Sequence, residues 1–277
     1  MNRKNYFDKT TISIGLPVYN SESNICTAIQ SILDQDFIDF ELIISDNCST
    51  DNTWNIIQRF ANKDDRIKIF RQKKNIGMVN NFRFVLNMSH AKHFCFMADD
   101  DYYSKNYLSE LYKTIRSNKN VALACSKIVN VYQSPYKMIE TPCSTSFNEF
   151  KDLKKILYLV NHHYMSWFYG MFLTKEIKYA MNTIYKGNEI DGSDRLIMYY
   201  FIFNKNICAN SNAIFYKMNQ WKKNRRKAFK DRYYSLAINF FIKAMKILFA
   251  SEMKDSFKLI VCLKFTIYLI KLLKPKH

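Results

Sequence analysis

Three adjacent aspartates, Asp99, Asp100 and Asp101, close an apolar run that spans residues 93–98. Neighbouring carboxylates repel one another, and a divalent cation removes that repulsion because hard cations take oxygen ligands. In open parallel sheets, ligands collect at the carboxyl ends of the strands. The triplet therefore indicates a site for a metal ion and phosphate groups on an α/β sheet. The simpler alternative is the acidic first turn of a helix, in which one aspartate is the N-cap.

Polar residues also follow three other predicted strands of the chain. Pro17, Tyr19 and Glu22 lie at and after the end of the first strand, Asp46 follows the second, and Gly77 follows the third. Each has a structural explanation of its own, since Asp46 could shape a turn and Gly77 could supply a positive φ. Their recurrence at successive strand ends favours a single binding crevice.

Strand and helix patterns alternate along the first half of the chain. Short strands separated by helices imply βαβ units and a mostly parallel sheet. The segment from about 126 to 216 is less regular and more aromatic, and we expect it to form a second subregion on the same sheet. The predicted strands are 11–18, 41–45, 67–70, 93–98 and 121–125, and the predicted helices are 25–33, 53–60, 78–88 and 107–115.

Composition limits the class of protein. The 277 residues are 48% hydrophobic and include only five glycines and four prolines, which excludes a long flexible linker. Seven cysteines occur without a Cys-x-x-Cys pair, which indicates reduced thiols in the cytosol and no zinc site. No signal peptide is visible at the polar N-terminus. A Gly-x-Gly-x-x-Gly motif and a P-loop are missing, which excludes a nicotinamide dehydrogenase and a P-loop NTPase.

Positive charge is concentrated at the C-terminus. Residues 217–277 carry sixteen Lys and Arg against three Asp and Glu, out of a total net charge of +18. Lysines interrupt each apolar run, so none approaches the roughly 18 uncharged residues of a membrane-spanning helix. The pattern favours amphipathic helices on an anionic membrane surface. A solvated basic face and a nucleic-acid-binding protein without transferase activity are the alternatives.

Taken together, these motifs resemble the family-2 glycosyltransferases with the GT-A fold. The resemblance is dense over residues 11 to about 125 and sparse beyond, where Tyr169-Gly170 and the run 192–195 are the landmarks. It implies an α/β enzyme whose mostly parallel sheet is flanked by helices. The implied reaction is an inverting transfer of a sugar from a nucleotide-sugar, with a UDP-sugar favoured, assisted by Mg²⁺ or Mn²⁺. The implied acceptor is a glycan or lipid-linked hydroxyl in surface polysaccharide or lipopolysaccharide synthesis. The matching motifs are Pro-Val-Tyr-Asn at 17–20, Gln-Ser-Ile-Leu-Asp-Gln at 30–35, the run 40–53, Asn-Ile-Gly at 75–77 and the aspartate triplet.

The resemblance assigns roles to individual residues on the donor side. Asp46 matches the aspartate that accepts a hydrogen bond from the donor base. The triplet falls on the Asp-x-Asp-type motif that reaches the ribose and the metal. A common version reads Asp-x-Asp-Asp, and Ala98 takes its first place here. Which carboxylate contacts the metal therefore stays open, with Asp100 favoured and Asp99 or Asp101 assisting. The residues assigned to donor binding are Pro17, Tyr19, Glu22, Asp46, Gly77 and Asp99.

Asp194 matches the later acidic residue that acts as catalytic base. The chemistry requires such a group, because an acceptor hydroxyl is a poor nucleophile until its proton is removed. Asp194 also precedes a helical run, so a helix cap is the alternative, and Glu189 and Asp191 are possible substitutes. Trp167 and Tyr169 could stack on a sugar, although aromatic residues more often belong to a core.

These observations divide the chain into a catalytic domain, residues 1–216, and a basic amphipathic helical extension, residues 217–277. We expect a cytoplasmic enzyme bound peripherally to the inner face of the cell membrane, with no nucleic-acid partner.

Overall fold

The computed structural model of the protein describes residues 10–133, 136–141, 148, 152–162, 165–184, 193–219 and 241–273. The strands are β1 (Ile12–Val18), β2 (Phe40–Asp46), β3 (Ile67–Arg71), β4 (His93–Phe96), β5 (Tyr102–Tyr103), β6 (Val121–Gln133), β7 (Tyr136–Thr141), β8 (Met171–Leu173) and β9 (Asn206–Asn219). The helices are α1 (Ile25–Leu33), α2 (Thr53–Ala61), α3 (Met78–Asn87), α4 (Tyr107–Ser117), α5 (Asp152–His162), α6 (Thr174–Ile184), α7 (Ser193–Asn204), α8 (residues 241–249) and α9 (Asp255–Leu273). A 3₁₀ helix spans Met165–Tyr169.

One sheet carries all nine of these strands, in the order β3-β2-β1-β4-β8-β6-β9-β5, with β7 paired to the outer part of β6. The strands β1 to β4 are parallel, as the alternating pattern predicts. Beyond β4 the sheet is mixed, because β8 runs antiparallel to both β4 and β6, while β6 and β9 are parallel. The predicted fold class, a helix-flanked α/β sheet of the GT-A type, is confirmed.

The apolar runs of β1 and β2 reflect burial on both faces of the sheet, and every residue of these two strands is buried. The sheet and α3 approach closely at Gly15. A Cβ atom there would lie 2.6 Å from Phe94 and 2.7 Å from Val85, so only glycine fits. This contact fixes α3, whose N-terminus carries the loop that follows β3.

The second half of the chain is more regular than the sequence predicts. The described residues between 126 and 219 include three α-helices and the long strand β9, and the predicted strand 121–125 extends to Gln133 as β6. The aromatic residues of this segment pack against one another and against the sheet. Trp167 is buried and donates a hydrogen bond from Nε1 to the carbonyl oxygen of Ser126 at 3.2 Å, so it belongs to the core.

The two C-terminal helices pack on the same core. Ala244 and Leu248 of α8 and Val261 of α9 are fully buried against it. On α9, Leu259 and Leu263 are instead 66% and 63% exposed. Strand β9 continues three residues past residue 216, and the proposed domain division there stays a prediction. Within the described ranges, no helix combines the length and apolar character that crossing a membrane requires.

Candidate active site

The parallel strands β1, β2 and β4 end side by side, which brings the loops that follow them to one edge of the sheet. In the register of the sheet, Val18 lies opposite Asp46, and Gly15 lies opposite Phe96. The polar residues that follow these strands therefore surround a single crevice, where open parallel sheets bind ligands.

The loops after β1 and β2 hold each other through hydrogen bonds between backbone and side chains. The N–H of Asn20 donates to Oγ of Ser49 at 2.9 Å, and the N–H of Thr50 donates to Oδ1 of Asn20 at 2.9 Å. The N–H of Asn52 donates to Oε2 of Glu22, also at 2.9 Å. Glu22 thus joins the two loops, and its predicted contact with a nucleotide stays a prediction.

Asp46 ends β2 and is completely buried. Its two carboxylate oxygens accept a hydrogen bond from the N–H of Ser49 at 3.1 and 3.3 Å, and Oδ2 lies 3.1 Å from Nε of Arg71. The guanidinium of Arg71 in turn lies 5.3 Å from the centroid of the Trp54 ring. Asp46 therefore fixes the shape of the β2–α2 loop, while its predicted bond to a donor base is untested.

The loop after β3 is bound to the loop after β2. The N–H of Ile76 donates to Oδ1 of Asn47 at 2.9 Å, and Nδ2 of Asn47 donates to Oδ1 of Asn75 at 3.0 Å. Gly77 has a φ of 83°, a conformation that glycine adopts without steric cost, and it is the N-cap of α3. The positive φ that the sequence suggests for Gly77 is confirmed, and its donor-binding role is a prediction.

The β1 loop also contacts the aspartate triplet. Pro17 is buried within β1, and two residues later Tyr19 is 45% exposed at the crevice. The N–H of Tyr19 lies 3.5 Å from Oδ2 of Asp99, and Oγ of Ser21 donates to the carbonyl oxygen of Asp99 at 3.3 Å. Four successive loops, those after β1, β2, β3 and β4, are thus connected around the crevice.

The aspartate triplet forms a turn and does not begin a helix. It is followed by β5 and only then by α4, whose N-cap is Asn106. The alternative of an acidic helix start is therefore wrong. The physical reason is that the chain leaves the turn extended, since Tyr102 and Tyr103 pair with Tyr216 and Phe215 of β9.

The three carboxylates have different surroundings. Asp101 is buried, and its Oδ1 accepts a hydrogen bond from the N–H of Met218 at 2.8 Å. Burial and the charge of Asp100 raise the pKa of Asp101 to about 7 and the pKa of Asp99 to about 6. Asp100 is half-buried, and among the described residues none donates a hydrogen bond to its carboxylate. Asp100 therefore has the freest carboxylate of the three.

The triplet suits a divalent cation that is only partly held by protein. Repulsion among Asp99, Asp100 and Asp101 would fall if a cation were bound, and carboxylates are ligands that Mg²⁺ and Mn²⁺ accept. In the described part of the chain, no three ligating side chains form a preformed metal site. Mg²⁺ is commonly held by one or two carboxylates together with substrate phosphates. The residues present fit such an arrangement.

Asp194 and the triplet act electrostatically on the same side chain, Tyr169, although Asp194 is 93 positions after Asp101 in sequence. The pKa of Tyr169 is raised well above its usual value by burial and by the negative charges of Asp101, Asp100, Asp194 and Asp99, in that order. All four carboxylates are therefore near the Tyr169 side chain. Burial also raises the pKa of Asp194, which favours its protonated form and makes its carboxylate a stronger base.

Asp194 is in the first turn of α7 and is not the residue that precedes the helix. Its Oδ1 accepts a hydrogen bond from the N–H of Arg195 at 2.9 Å. This contact is local to the helix start, and it leaves the predicted role of Asp194 as catalytic base untested. Glu189 and Asp191, the substitutes, lie outside the described residues.

Lys217 is a site residue that the sequence alone did not reveal. Its Nζ lies 5.9 Å from the centroid of the Tyr169 ring, and its positive charge lowers the pKa of both Asp101 and Asp194. Tyr169 itself stacks on Phe215 of β9 with ring centroids 4.8 Å apart. In sequence Lys217 is one cation of a basic tail, and no motif indicates that it lies in a strand near Asp101 and Asp194.

The family model described as Glycosyl transferase family 2 matches residues 13–176. This is more than half of the chain, and it includes β1 to β4 with the loops that surround the crevice. The chain therefore belongs to glycosyl transferase family 2.

Several known proteins are similar to parts or most of this chain. The GalNAc(5)-diNAcBac-PP-undecaprenol beta-1,3-glucosyltransferase of Campylobacter jejuni is 36% identical over 101 residues, 36% of this chain and 33% of its own length. WfaP of Escherichia coli, a UDP-Glc:alpha-D-GlcNAc-diphosphoundecaprenol beta-1,3-glucosyltransferase, is 24% identical over 72% of this chain and 80% of its own length. The crystal structure of S. aureus TarS residues 1–349 in complex with UDP-GlcNAc has a TM-score of 0.70 at 21% identity, covering 92% of this chain and 71% of that one.

These similarities differ in what they support. The structural match to TarS shows the shared fold. For the first four similar curated proteins, the matched region spans only 23% to 40% of their own length. The matched regions make up 36% to 46% of this chain.

Proposed function

We propose that this protein is an inverting glycosyltransferase that moves a sugar from a nucleotide-sugar, with a UDP-sugar favoured, to a hydroxyl group of a glycan or lipid-linked acceptor. The observation that carries the proposal is the gathering of four carboxylates and Lys217 around Tyr169, at the carboxyl edge of a family-2 sheet. The names of the similar proteins from C. jejuni and E. coli support an acceptor linked to undecaprenol through phosphates. Surface polysaccharide or lipopolysaccharide synthesis is the process that fits best.

On the donor side, the joined loops after β1, β2 and β3 would hold the nucleotide. Tyr19 is exposed at the crevice, and Asp46 and Arg71 hold the β2–α2 loop rigid. A divalent cation, Mg²⁺ or Mn²⁺, held by Asp100 with Asp99 or Asp101, would offset the charge that develops on the leaving diphosphate.

On the acceptor side, Asp194 would take the proton of the attacking hydroxyl while the new bond to the anomeric carbon forms. The bond from that carbon to the diphosphate breaks in the same step, so the configuration inverts and no covalent enzyme intermediate is needed. The raised pKa of Asp194 suits a general base, because a stronger base accepts a proton more readily near neutral pH. Lys217, beside Asp194 and Asp101, would stabilise negative charge during transfer.

For its location, we propose a cytoplasmic enzyme held peripherally at the inner face of the membrane by α8 and α9. Leu259 and Leu263 are i,i+4 neighbours on α9, so they present one exposed apolar face beside several lysines. An exposed apolar face with adjacent cations suits an anionic bilayer surface. The alternative of a nucleic-acid-binding protein has no support, since the chain belongs to an enzyme family of different chemistry.

The decisive experiment is a thermal-shift screen of nucleotide-sugars with and without Mn²⁺, followed by determination of the anomeric configuration of any product. A ligand that binds the folded state raises the melting temperature by mass action. We expect a UDP-sugar to raise it more with Mn²⁺ than without, and we expect the configuration to be inverted in the product. Stabilisation by no nucleotide-sugar, or retention of configuration, would contradict the proposal.

A further inference from the structure

A groove of about 800 Å³ lies on the surface between α6, α7 and α8, away from the aspartate crevice. The helix α7 connects the two places. Asp194 is in its first turn, while Tyr200 and Asn204 line the groove at its other end. At a rise of about 1.5 Å per residue, the groove begins roughly 9–15 Å along the helix from Asp194. A ligand in the groove would therefore leave the crevice open.

Four lysines line this groove, which we call the lysine groove: Lys175, Lys205, Lys243 and Lys246. Two glutamates, Glu176 and Glu252, also line it. Glu176 is already engaged, because its carboxylate lies 2.8 Å from Nζ of Lys205 and 3.8 Å from Nζ of Lys175. Within the described ranges, the two lysines of α8 have no ion-pair partner within 4.0 Å. The groove thus carries an excess of positive charge that α8 provides.

Apolar side chains form the rest of the walls. Ile184, Tyr200, Ile247 and Ala250 line the groove, and Tyr179 at its rim is 60% exposed. A free inorganic anion gains nothing from such walls, whereas an amphiphilic anion can place its charge among the lysines and its hydrocarbon against the apolar residues. The combination of charge and apolar surface therefore favours the phosphate of a lipid.

Helices α8 and α9 also expose apolar residues. Phe249, beside the groove residue Ala250, is 52% exposed, and Leu259, Ile260 and Leu263 share one face of α9. Exposed apolar residues grouped in this way mark an interaction surface. The groove and this face together have the composition of a surface that rests on a bilayer.

We propose that the lysine groove binds the phosphate of an anionic membrane phospholipid and so seats the protein on the bilayer in a fixed orientation. The inference deepens the membrane role proposed above and rests on it, but it is independent of the sugar-transfer chemistry. Because the crevice and the groove lie toward opposite ends of α7, a lipid-linked acceptor in the same bilayer would need to extend past the groove to reach Asp194.

The test is sedimentation of the full-length protein with vesicles of phosphatidylcholine, alone or mixed with phosphatidylglycerol. The variant Lys243→Glu/Lys246→Glu reverses the two α8 cations of the groove. Each Lys near an anionic surface contributes on the order of 1 kcal/mol. We therefore expect at least about a tenfold loss of partitioning into the anionic vesicles. Lys63→Glu/Lys137→Glu makes the same charge change at two exposed lysines outside the groove and should retain most of the binding.

Two further measurements keep the outcome interpretable. Lys243→Arg/Lys246→Arg keeps the charge and should bind like the unmodified chain, and melting temperatures with the donor nucleotide show whether each variant is folded. Equal losses in the groove and control variants would overturn the groove while leaving a general electrostatic attachment. Binding of the unmodified chain to neither vesicle would overturn both the groove and the membrane role. A melting-temperature shift with inorganic phosphate, without vesicle binding, would overturn the lipid as the ligand.

Discussion

The two halves of the sheet build the crevice by different means. In the donor half, β1 to β4, neighbouring loops hold one another through short polar contacts, such as those of Asn20 with Ser49 and of Asn47 with Asn75. In the acceptor half, β6 to β9 and α5 to α7, the site residues are held by aromatic packing, as in the stack of Tyr169 on Phe215. The first arrangement ties neighbouring loops into one frame, whereas the second brings together groups from distant parts of the chain. Under the proposed function, donor binding belongs to the first half and proton transfer to the second.

The largest effect is expected from the donor half. Asp100→Ala should abolish transfer and the Mn²⁺-dependent part of nucleotide binding, because it removes the freest carboxylate of the triplet. The melting temperature should stay near that of the unmodified protein, since among the described residues none donates a hydrogen bond to this side chain. Turnover and Mn²⁺-dependent thermal shifts measure the two effects. Asp65→Ala, at an exposed turn, is the matched control, and substantial metal-dependent turnover by Asp100→Ala would place the metal elsewhere.

Asp194→Asn tests the acceptor half alone. It keeps the size of the side chain and an oxygen for the N–H of Arg195, but removes the proton acceptor. Loss of a general base costs about 10²–10⁴-fold in rate, so kcat should fall by that factor while donor binding is unchanged. In the unmodified enzyme, kcat should decline as the pH falls through the raised pKa of Asp194, because protonation removes the base. A normal kcat for the variant would show that Asp194 is not the catalytic base and that proton transfer is not assigned to this half through Asp194.

Lys217→Met separates charge from packing in the acceptor half. The positive charge of Lys217 lowers the pKa of Asp194, so its removal should move the acidic limb of the pH–rate profile to higher pH. We expect about a tenfold loss of kcat at neutral pH from the lost stabilisation of negative charge. Lys217→Arg should restore both quantities. An unchanged pH profile for Lys217→Met would mean that the lysine only packs on Tyr169.

The last prediction concerns stability and not turnover, and it involves Asp101, which connects the halves through the N–H of Met218. Its pKa is raised to about 7, so the folded protein favours the protonated form, and stability is lost as the pH rises from about 4 through 7. Asp101→Asn keeps the acceptor for Met218 but cannot ionise. In chelator-treated protein, we compare the free energies of unfolding of the variant and the unmodified chain at each pH. Their difference should shift in favour of the variant by up to roughly 4 kcal/mol between pH 4 and pH 8. Urea unfolding across that range measures it, and parallel pH curves would show that burial and the charge of Asp100 impose no ionisation penalty on Asp101.

Much of the donor half follows from the sequence. The predicted helix 25–33 is observed with the same bounds, and the predicted strand 41–45 is one residue longer at each end. These two elements can be predicted from local sequence. The spacing of their apolar residues reflects which side is buried, and turn residues mark their ends. The insertion of β8 between β4 and β6 could not be predicted, because strand order depends on contacts between segments far apart in the chain.

The sequence by itself determined the α/β class, the family and the presence of acidic groups at successive strand ends, because each of these depends on residue types at short, regular spacing. Only the tertiary structure decided that Asp194, Tyr169 and Lys217 meet the aspartate triplet, that Asp101 connects to β9, and that α8 completes a lysine groove. The physical reason is that charge and burial act through space. A carboxylate whose pKa is near 7, or a lysine that lacks an ion-pair partner, has that property because of its neighbours in the fold. The order of residues along the sequence does not specify those neighbours.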